Sequence, residues 1–474
     1  MHTFVGPTLR RKVFLLWLCG LTALGLGVRL TYFFVEGRTT PLSGDGVFYH
    51  ESANLIADGK GYIDPFVYNI GYCADDPTGA SLGFGEADVQ CAPNDVLLPG
   101  FETPTAAHPP LWPSILAVGS WLGFDSVNEH RLIGLLFGAA GVFMIGLAGR
   151  ELFGDVCGLV AAGIASVYGY LWLNDVSLMS ESLLGVYVSV MTIVAVRWWR
   201  KSTWKSAALL GALAGVGALV RSELLLYGPL IVFVGVVVSL RKHRNWKPLL
   251  GQLAVVLAVA LVVLSPWLIR NLTVFSRPVL LSPTGTLLAQ TNCDQTYGGE
   301  KLGYWERYCA EPDPLVVDGV FRDESIRDQA KREKASEYIN GHRGRLISVV
   351  MPARVARMFN IYDPVQTARF DILVENRDFR WSIFSLVQYA IVGIAAIVGV
   401  VLAWRKRLTF IPAATWPLLV ALVAMFGFGN NRYRVSAEPS LLWLSSVAFV
   451  VLYLWFTKRM TASRTTQPTA TKPN

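Results

Sequence analysis

A carboxyl group that could act as a base follows the first long apolar run of the chain. It belongs to Asp45, in the polar segment of residues 43–49, which reads SGDGVFY. A carboxylate beside a low-dielectric surface is expected to have its pKa raised by desolvation, and a raised pKa makes it a better base for a hydroxyl proton. An aspartate at this position could equally cap a helix that starts near Val47. From the residues alone, both interpretations of Asp45 remain open.

Arginines at predicted helix ends could bind an anion such as a phosphate. A guanidinium group is always charged and offers two parallel donors to phosphate oxygens. For each arginine the alternative is a side chain that only extends to the lipid headgroups. The residues concerned are Arg131, Arg221, Arg270 and Arg432.

Histidine residues offer hydrogen bonds but no recognisable metal site. His108, which precedes Pro109 and Pro110, could bond a phosphate or a sugar, or could only cap the helix that follows. The six histidines, at positions 2, 50, 108, 130, 243 and 342, show neither HExxH nor another paired spacing, so we predict no zinc site. A divalent metal ion between Asp45 and another carboxylate stays open, because oxygen-ligand sites leave little trace in a sequence. No other cofactor is predicted.

The composition places these residues in a membrane protein. Of the 474 residues, 53% are hydrophobic and 16% are charged, and the mean hydropathy is +0.42. Soluble globular chains are less apolar than this. Because a membrane-spanning helix needs about 20 apolar residues, we predict an all-α integral membrane protein with about ten transmembrane helices. They lie near residues 13–35, 132–153, 156–173, 182–199, 206–221, 226–240, 249–268, 382–404, 408–428 and 437–457.

The distribution of charge indicates which ends of the spans face outward. Lys and Arg collect in short cytoplasmic loops. Residues 36–130 hold thirteen acidic and two basic residues, which places this loop on the outer side together with residues 271–380. The net charge of +8 follows from this topology, so we predict membrane lipids and no nucleic acid as partners. Basic clusters fall on the cytoplasmic side at residues 10–12, 197–205, 241–244, 405–407 and 458–459.

Four of the six cysteines lie in the predicted outer regions, where an oxidising compartment lets disulfides persist. Spacing within each region favours one bridge between Cys73 and Cys91 and another between Cys293 and Cys309. Metal binding is the alternative, but neither pair has CxxC spacing and no histidine is close to it.

The sequence divides into membrane and outer regions. Residues 48–57 and 111–124 are predicted to form interfacial helices, because each is apolar on one side or too short to span the bilayer. We predict an N-terminal anchor helix at 1–35, a first outer loop with interfacial helices at 36–130, a transmembrane core at 131–270, an outer loop or small cap at 271–380, C-terminal transmembrane helices at 381–459, and a disordered cytoplasmic tail at 460–474.

Several short motifs occur in a consistent order on the outer side. Asp45 with Tyr49 is followed by HPPL at 108–111, Arg131-Leu132, Ser180-Glu181, and NRYR at 431–434. In this order they resemble the glycosyltransferase C superfamily. More narrowly, they are similar to the bacterial family 39 enzymes, which are related to protein O-mannosyltransferases and lipid A aminoarabinose transferases.

The resemblance implies roles for the residues that carry it. Asp45 would be the catalytic base of an inverting transfer. Family members often have a second acid directly after this Asp, where this chain has Gly46, so Glu181 is the candidate second acid; its alternative role is a charge that stabilises a helix N-terminus. The predicted donor and phosphate ligands are Arg131, Arg270, Arg432, His108 and Tyr49.

The function predicted from the sequence is therefore a hexosyl- or pentosyltransferase of the cytoplasmic (inner) membrane. It would move a sugar from a polyprenyl-phosphate donor to a glycan, lipid or protein acceptor on the outer, periplasmic side. The sequence identifies neither the donor sugar nor the acceptor. The alternatives are a polytopic lipid or solute transporter or flippase without transfer activity, and an inactive scaffold that keeps the same fold.

Overall fold

The computed structural model describes residues 5–70, 72–73, 97–98, 102–313, 316–317 and 320–465. This part of the chain is almost entirely helical, which confirms the predicted all-α membrane class. Its strands are four two-residue segments in two antiparallel pairs, Tyr72–Cys73 with Leu97–Leu98 and Val316–Val317 with Val320–Phe321.

The first membrane helix and the first outer loop supply four helices. Helix α1 continues into a π-helical turn, Phe33–Gly37. Helices are present at both positions predicted for interfacial helices, as α2 and α4, although α2 begins earlier and α4 ends earlier than predicted. The helices are α1 Arg11–Tyr32, α2 Gly44–Ala57, α3 Pro65–Ile70 and α4 Leu111–Trp121.

Seven helices form the central membrane region. Two of them are preceded by 3₁₀ turns, Ser180–Leu183 before α8 and Ser222–Leu226 before α10. The helices are α5 Val127–Phe153, α6 Asp155–Val167, α7 Gly169–Val176, α8 Leu184–Arg200, α9 Trp204–Ala218, α10 Tyr227–Arg241 and α11 Lys247–Val274.

The outer segment is built from short helices and turns. Its 3₁₀ turns are Gly299–Lys301 and Arg307–Ala310, and a π-helical turn spans Leu346–Val350. The predicted disulfide between Cys293 and Cys309 is present here, whereas Cys91 of the other predicted pair lies outside the described residues. The helices are α12 Gly285–Thr291, α13 Asp294–Tyr297, α14 Glu324–Gly341, α15 Arg343–Arg345, α16 Met351–Met358 and α17 Pro364–Glu375.

Three helices return the chain to the membrane. They are α18 Phe379–Arg405, α19 Ile411–Phe426 and α20 Glu438–Thr465, and a 3₁₀ turn, Asn431–Ala437, leads into α20. Over the described residues, seven helices, some extended by their leading turns, are long and apolar enough to cross a membrane. The pair α6 and α7, bent by 50°, brings the number to eight. The predicted count of ten is not confirmed, because α9 and α19 have only 15 and 16 residues.

Small residues let the membrane helices approach closely. A Cβ atom on Gly185 of α8 would lie 3.0 Å from the Cα atom of Gly141 on α5. Likewise, a Cβ atom on Gly399 of α18 would clash with the carbonyl oxygen of Leu444 on α20. Close backbone approach at small residues is the usual way in which membrane helices gain packing energy. These contacts hold together the helices whose starting turns carry the charged residues described next.

Candidate functional site

A cluster of buried charges forms where three helix starts meet α2 and α17. Each of the 3₁₀ turns before α8, α10 and α20 contributes one of its members. Short 3₁₀ stretches are frequent at helix termini. In this fold they bring together side chains that are far apart in the sequence: Asp45, Glu181, Arg221, Glu223, Glu375 and Arg432.

Arg432 binds three carboxylates through three different nitrogens. Its Nε atom lies 2.6 Å from Oε1 of Glu181, and its Nη1 atom lies 2.8 Å from Oε1 of Glu375. The Nη2 atom lies 2.8 Å from Oδ2 of Asp45. The side chain of Arg432 is 5% exposed, and those of Glu181 and Glu375 are 0% and 2% exposed. Buried charges of this kind are tolerated only when they are paired, so the guanidinium group holds the three acids in place.

A second guanidinium group lies beside the first. Arg221 contacts Oε1 of Glu181 through Nη1 at 2.7 Å and Oε1 of Glu223 through Nε at 2.5 Å. The ring of Tyr433 lies against both arginines, with its centroid 4.7 Å from Cζ of Arg221 and 5.5 Å from Cζ of Arg432. One oxygen of Glu181 is therefore shared by two cations. The pair offers two adjacent guanidinium groups as donors to an anionic ligand, which would have to compete with the four carboxylates that contact them.

Asp45 is the most accessible member of the cluster, and His108 lies beside it. Their side chains are 31% and 25% exposed, and Nε2 of His108 lies 3.6 Å from Oδ1 of Asp45. On its other side the histidine Nδ1 is 3.3 Å from the hydroxyl group of Tyr49. This hydroxyl group also lies 3.5 Å from Oγ of Ser180. A ligand entering from outside would meet Asp45 and His108 first.

The pKa of Asp45 is shifted in the direction opposite to that expected. Burial raises it, but the neighbouring Arg432 and then His108 more than compensate, and the pKa of Asp45 is lowered to about 2. Burial lowers the pKa of His108, so its imidazole is neutral at pH 7. The capping alternative for Asp45 is also wrong, because the residue lies in the first turn of α2 and Ser43 occupies the N-cap position.

Arg270 is placed to hold the loop that carries His108. Its Nη1 atom donates to the carbonyl oxygen of Thr105 and its Nη2 atom to that of Tyr62, both at 2.7 Å. From the outer segment, Glu324 accepts a hydrogen bond from the backbone N–H of Ala106 at 2.7 Å. Burial raises the pKa of Glu324 to about 7. The structure therefore brings Arg270 to the loop and not to the charge cluster.

Arg131 is likewise not brought to the cluster. Its Nε atom donates to the carbonyl oxygen of Val176 at 3.0 Å, and its Nη2 atom donates to that of Thr40 at 2.5 Å. The remaining nitrogen donates to Oδ1 of Asn128 at 3.2 Å. With these acceptors the guanidinium group ties together α5, the end of α7 and the loop before α2. The prediction that it binds phosphate has no support in this geometry.

Two further acids were missed because nothing in the sequence marks them. Asp371 and Glu375 lie one turn apart on α17, and the two residues are 1% and 3% exposed. Burial raises the pKa of Asp371 to about 7. The sequence around them contains no recognisable motif, and the 57 positions between Glu375 and Arg432 concealed their contact. Arg221, one of the four arginines noted for their position, is the second cation of the cluster.

The described residues do not form the donor set expected for a divalent ion. Among them there is no group of three or more His, Cys, Asp or Glu side chains arranged to hold a metal. The two carboxylate oxygens of Asp45 face Arg432 and His108, not a second carboxylate.

Comparison with known proteins identifies a related family over part of the chain. The family model described as dolichyl-phosphate-mannose-protein mannosyltransferase matches residues 107–269. This segment contains His108, Glu181 and Arg221. No curated protein matches the chain.

Solved structures share the fold at low sequence identity. The archaeal oligosaccharyltransferase AglB from Archaeoglobus fulgidus, in complex with an inhibitory peptide and a dolichol-phosphate, has a TM-score of 0.51 and 12% identity. The alignment covers 97% of this chain and 52% of that one. The same enzyme in complex with Zn and sulfate gives a TM-score of 0.52 at 12% identity, covering 94% and 50% of the two chains. ArnT from Cupriavidus metallidurans is a more distant likeness, with a TM-score of 0.41, 15% identity, and 91% and 78% coverage.

The chain spans about half the length of the archaeal structures that it matches. At this identity the likeness establishes the fold. Together with the family model, it confirms the resemblance to the glycosyltransferase C superfamily.

Proposed function

We propose that this chain is an inverting glycosyltransferase that moves a sugar from a polyprenyl-phosphate donor to an acceptor on the outer face of the membrane. The observation that carries the proposal is the accessible carboxylate of Asp45 beside the paired guanidinium groups of Arg221 and Arg432. A transfer of this kind needs a base for the acceptor and cations for the departing phosphate. The cluster supplies both at adjacent positions.

The donor phosphate would bind by replacing Asp45 on Arg432. Asp45 is the most exposed of the three acids on that guanidinium group, so it is the one that an incoming anion can displace most easily. Once released, Asp45 loses the cation that lowers its pKa, and its remaining desolvation raises the pKa again. Donor binding would thus convert a carboxylate held by an ion pair into an available base.

In the chemical step the acceptor hydroxyl oxygen attacks the anomeric carbon from the side opposite the phosphate. The new C–O bond forms as the bond between the anomeric carbon and the phosphate oxygen breaks, and the anomeric configuration inverts. Asp45 takes the acceptor proton, and the polyprenyl phosphate leaves with the bonding electron pair. Arg221 and Arg432 stabilise its charge. Glu181 keeps both guanidinium groups in position, and the neutral His108 donates a hydrogen bond to the phosphate or the sugar.

The orientation of the helices supports an outer location for the site. The cluster lies at the starts of α8 and α10, whereas the basic residues Arg200 and Arg241 lie at the opposite ends of these helices. Because basic residues mark the cytoplasmic side, the helix starts face outward. A lipid-linked donor suits this side.

The related proteins support the donor class. The matching family model is described by dolichyl-phosphate-mannose, and the AglB structure contains a dolichol-phosphate. A lipid phosphate is therefore the donor headgroup to test first.

The decisive experiment compares purified wild-type protein with Asp45→Asn in detergent, using polyprenyl phosphates that carry different labelled hexoses or pentoses. Release of sugar to water or to a supplied acceptor is measured, since hydrolysis needs no knowledge of the natural acceptor. We expect wild-type protein to consume at least one donor and Asp45→Asn to be slower by roughly 100-fold or more, the usual contribution of a general base.

Asp58→Asn is the matched control, because Asp58 is an exposed acid at the end of the same helix. It should leave the rate unchanged. A wild-type rate in Asp45→Asn would remove the proposed base. Translocation of lipid by the wild-type protein without any sugar release would replace the transferase with the transporter.

A further inference from the structure

The inner face of α17 holds acceptor atoms that have no partner. Glu375 uses Oε1 to bind Arg432, but its Oε2 atom is buried and unpaired. Oδ1 of Asp371 is also buried and unpaired. Across from them, Asn431 donates from Nδ2 to Tyr170 at 3.5 Å, while its Oδ1 atom has no partner. Three acceptors next to the charge cluster are thus left open.

Such a group is uncommon in a folded protein. Buried polar atoms are nearly always hydrogen-bonded, and each unsatisfied acceptor costs free energy. The neighbouring Arg377 adds one unpaired donor, its Nε atom. A ligand that satisfies this set must bring several donors and at least one acceptor on a compact frame.

Among the parts of a lipid-linked donor, sugar hydroxyl groups meet this requirement. Each hydroxyl group can donate to a carboxylate and accept from a guanidinium group. A phosphate group only accepts and would be repelled by Asp371 and Glu375. A hydrocarbon chain would leave all of these atoms unpaired.

We propose that Asp371, Glu375 and Asn431 form the subsite that binds the hydroxyl groups of the donor sugar. This inference rests on the proposed function and adds to it the position of the sugar. The two terminal nitrogens of Arg432 reach Glu375 on one side and Asp45 on the other. With the phosphate on Arg432, a sugar attached to it lies between the hydroxyl-binding acids and the base.

The sugar enters this subsite by an outward shift of α17. The helix is bounded by Asp363 and Asn376, whose φ angles of 41° and 51° are in the left-handed region that residues other than glycine rarely adopt. Residues of this kind cluster at switch regions and ligand clamps. On the outer face Leu373 is 82% exposed, so the described residues place no covering element over it.

The test compares two ligands, bare polyprenyl phosphate and the same lipid phosphate carrying the sugar that wild-type protein consumes. Their dissociation constants are measured for wild-type and Asp371→Asn protein in the same detergent. Asp371 makes no ion pair with Arg432, so its substitution leaves the phosphate ligands in place. We expect roughly 10-fold weaker binding of the glycosylated lipid, because an amide oxygen is a weaker acceptor than a carboxylate oxygen, and unchanged binding of the bare lipid.

A series of deoxy-sugar donors would identify the hydroxyl group that Asp371 binds. The donor that lacks the hydroxyl group bound by Asp371 should bind wild-type protein more weakly and should show no further loss in Asp371→Asn. Glu333→Gln on α14 is the matched control, because Glu333 is an exposed acid outside the cluster, and it should affect neither lipid. If Asp371→Asn fails to fold, Asn431→Ala removes another acceptor of the subsite and must show the same selective loss.

The outcomes separate the two proposals. Equal losses for both lipids, or no loss for either, would overturn the sugar subsite while leaving the phosphate site intact. Failure of the wild-type protein to bind either lipid would instead overturn the proposed function, and the sugar subsite with it.

Discussion

Replacing Arg432 by methionine should show how much the stability of the protein depends on this cation. The substitution removes one cation from three carboxylates, but the three are affected differently. Glu181 keeps Arg221 at 2.7 Å, and Asp45 is 31% exposed and can be hydrated. Glu375 is 2% exposed and loses the cation that binds it. Leaving a buried charge uncompensated costs about 3–5 kcal/mol, so most of the expected loss of stability is attributable to Glu375.

The assay is thermal unfolding of the purified protein in detergent at pH 7, with wild type and three variants compared. Arg432→Met should unfold several degrees below wild type. The double variant Arg432→Met/Glu375→Gln should recover most of this difference, because a buried neutral amide is less costly than a buried unpaired carboxylate. Arg380→Met is the matched control, since Arg380 is 80% exposed in its ion pair and exposed ion pairs contribute little to stability. Both Arg432 variants should fail to bind polyprenyl phosphate.

Acidification provides an independent check. Lowering the pH protonates an uncompensated carboxylate. It should therefore reduce the difference in unfolding temperature between Arg432→Met and the double variant. The reasoning is refuted if the double variant is no more stable than the single one. It is equally refuted if Arg432→Met costs no more than Arg380→Met, because Glu375 would then not depend on this cation.

Three further predictions follow from the same contacts. The pKa of Asp45 is lowered from 3.8 to about 2, which stabilises the fold by about 2 kcal/mol at pH values above 3.8. This contribution is lost as the pH falls through 2. Asp45→Asn should abolish that part of the pH dependence of unfolding. The pKa of Glu324 is shifted in the opposite direction, from 4.5 to about 7. The free energy of unfolding should therefore fall by roughly 3 kcal/mol at most as the pH rises from 4.5 to 7. Glu324→Gln should flatten this slope, and an unchanged slope would exclude Glu324 as its origin. Replacing Cys293 and Cys309 by serine opens a loop with a sequence separation of 16 and should cost about 3 kcal/mol, measured by unfolding without reductant; an unaltered midpoint would show that the bridge does not constrain the outer segment.

The sequence was most informative where short motifs mark helix starts. Asp45, Glu181 and Arg432 were all singled out, and the structure joins them although 251 residues separate the last two. Composition alone was enough to assign the membrane class. The motifs carry this information because each stands at or near the start of a helix.

The position of a residue along its helix could be predicted from the sequence, but the direction in which its side chain points could not. Arg131 and Arg270 lie at helix ends like the other arginines, yet their guanidinium groups donate to backbone carbonyl oxygens away from the cluster. Hydropathy does not report how a helix is rotated. The same limitation explains the span count, since the short helices α9 and α19 are as apolar as longer ones.

The pKa shift of Asp45 was predicted in the wrong direction because the sequence indicates only the burial of this carboxyl group. The dominant partner, Arg432, lies near the other end of the described chain, and a pKa depends on such partners as much as on solvent. Asp371 and Glu375 could not be foreseen at all. An acid in a polar outer segment looks like any solvated residue until tertiary contacts bury it.

The distribution of the ligands of Arg432 along the chain also bears on biogenesis. The three carboxylates are inserted or translocated before the turn that carries Arg432, which follows Glu181 by 251 positions and Glu375 by 57. A nascent chain that has reached α18 therefore contains the proposed base, Asp45, and the other two acids, but lacks the cation that binds all three. The cluster is complete only when the last hairpin of helices has been made, so an unfinished polypeptide should be unable to carry out the proposed transfer.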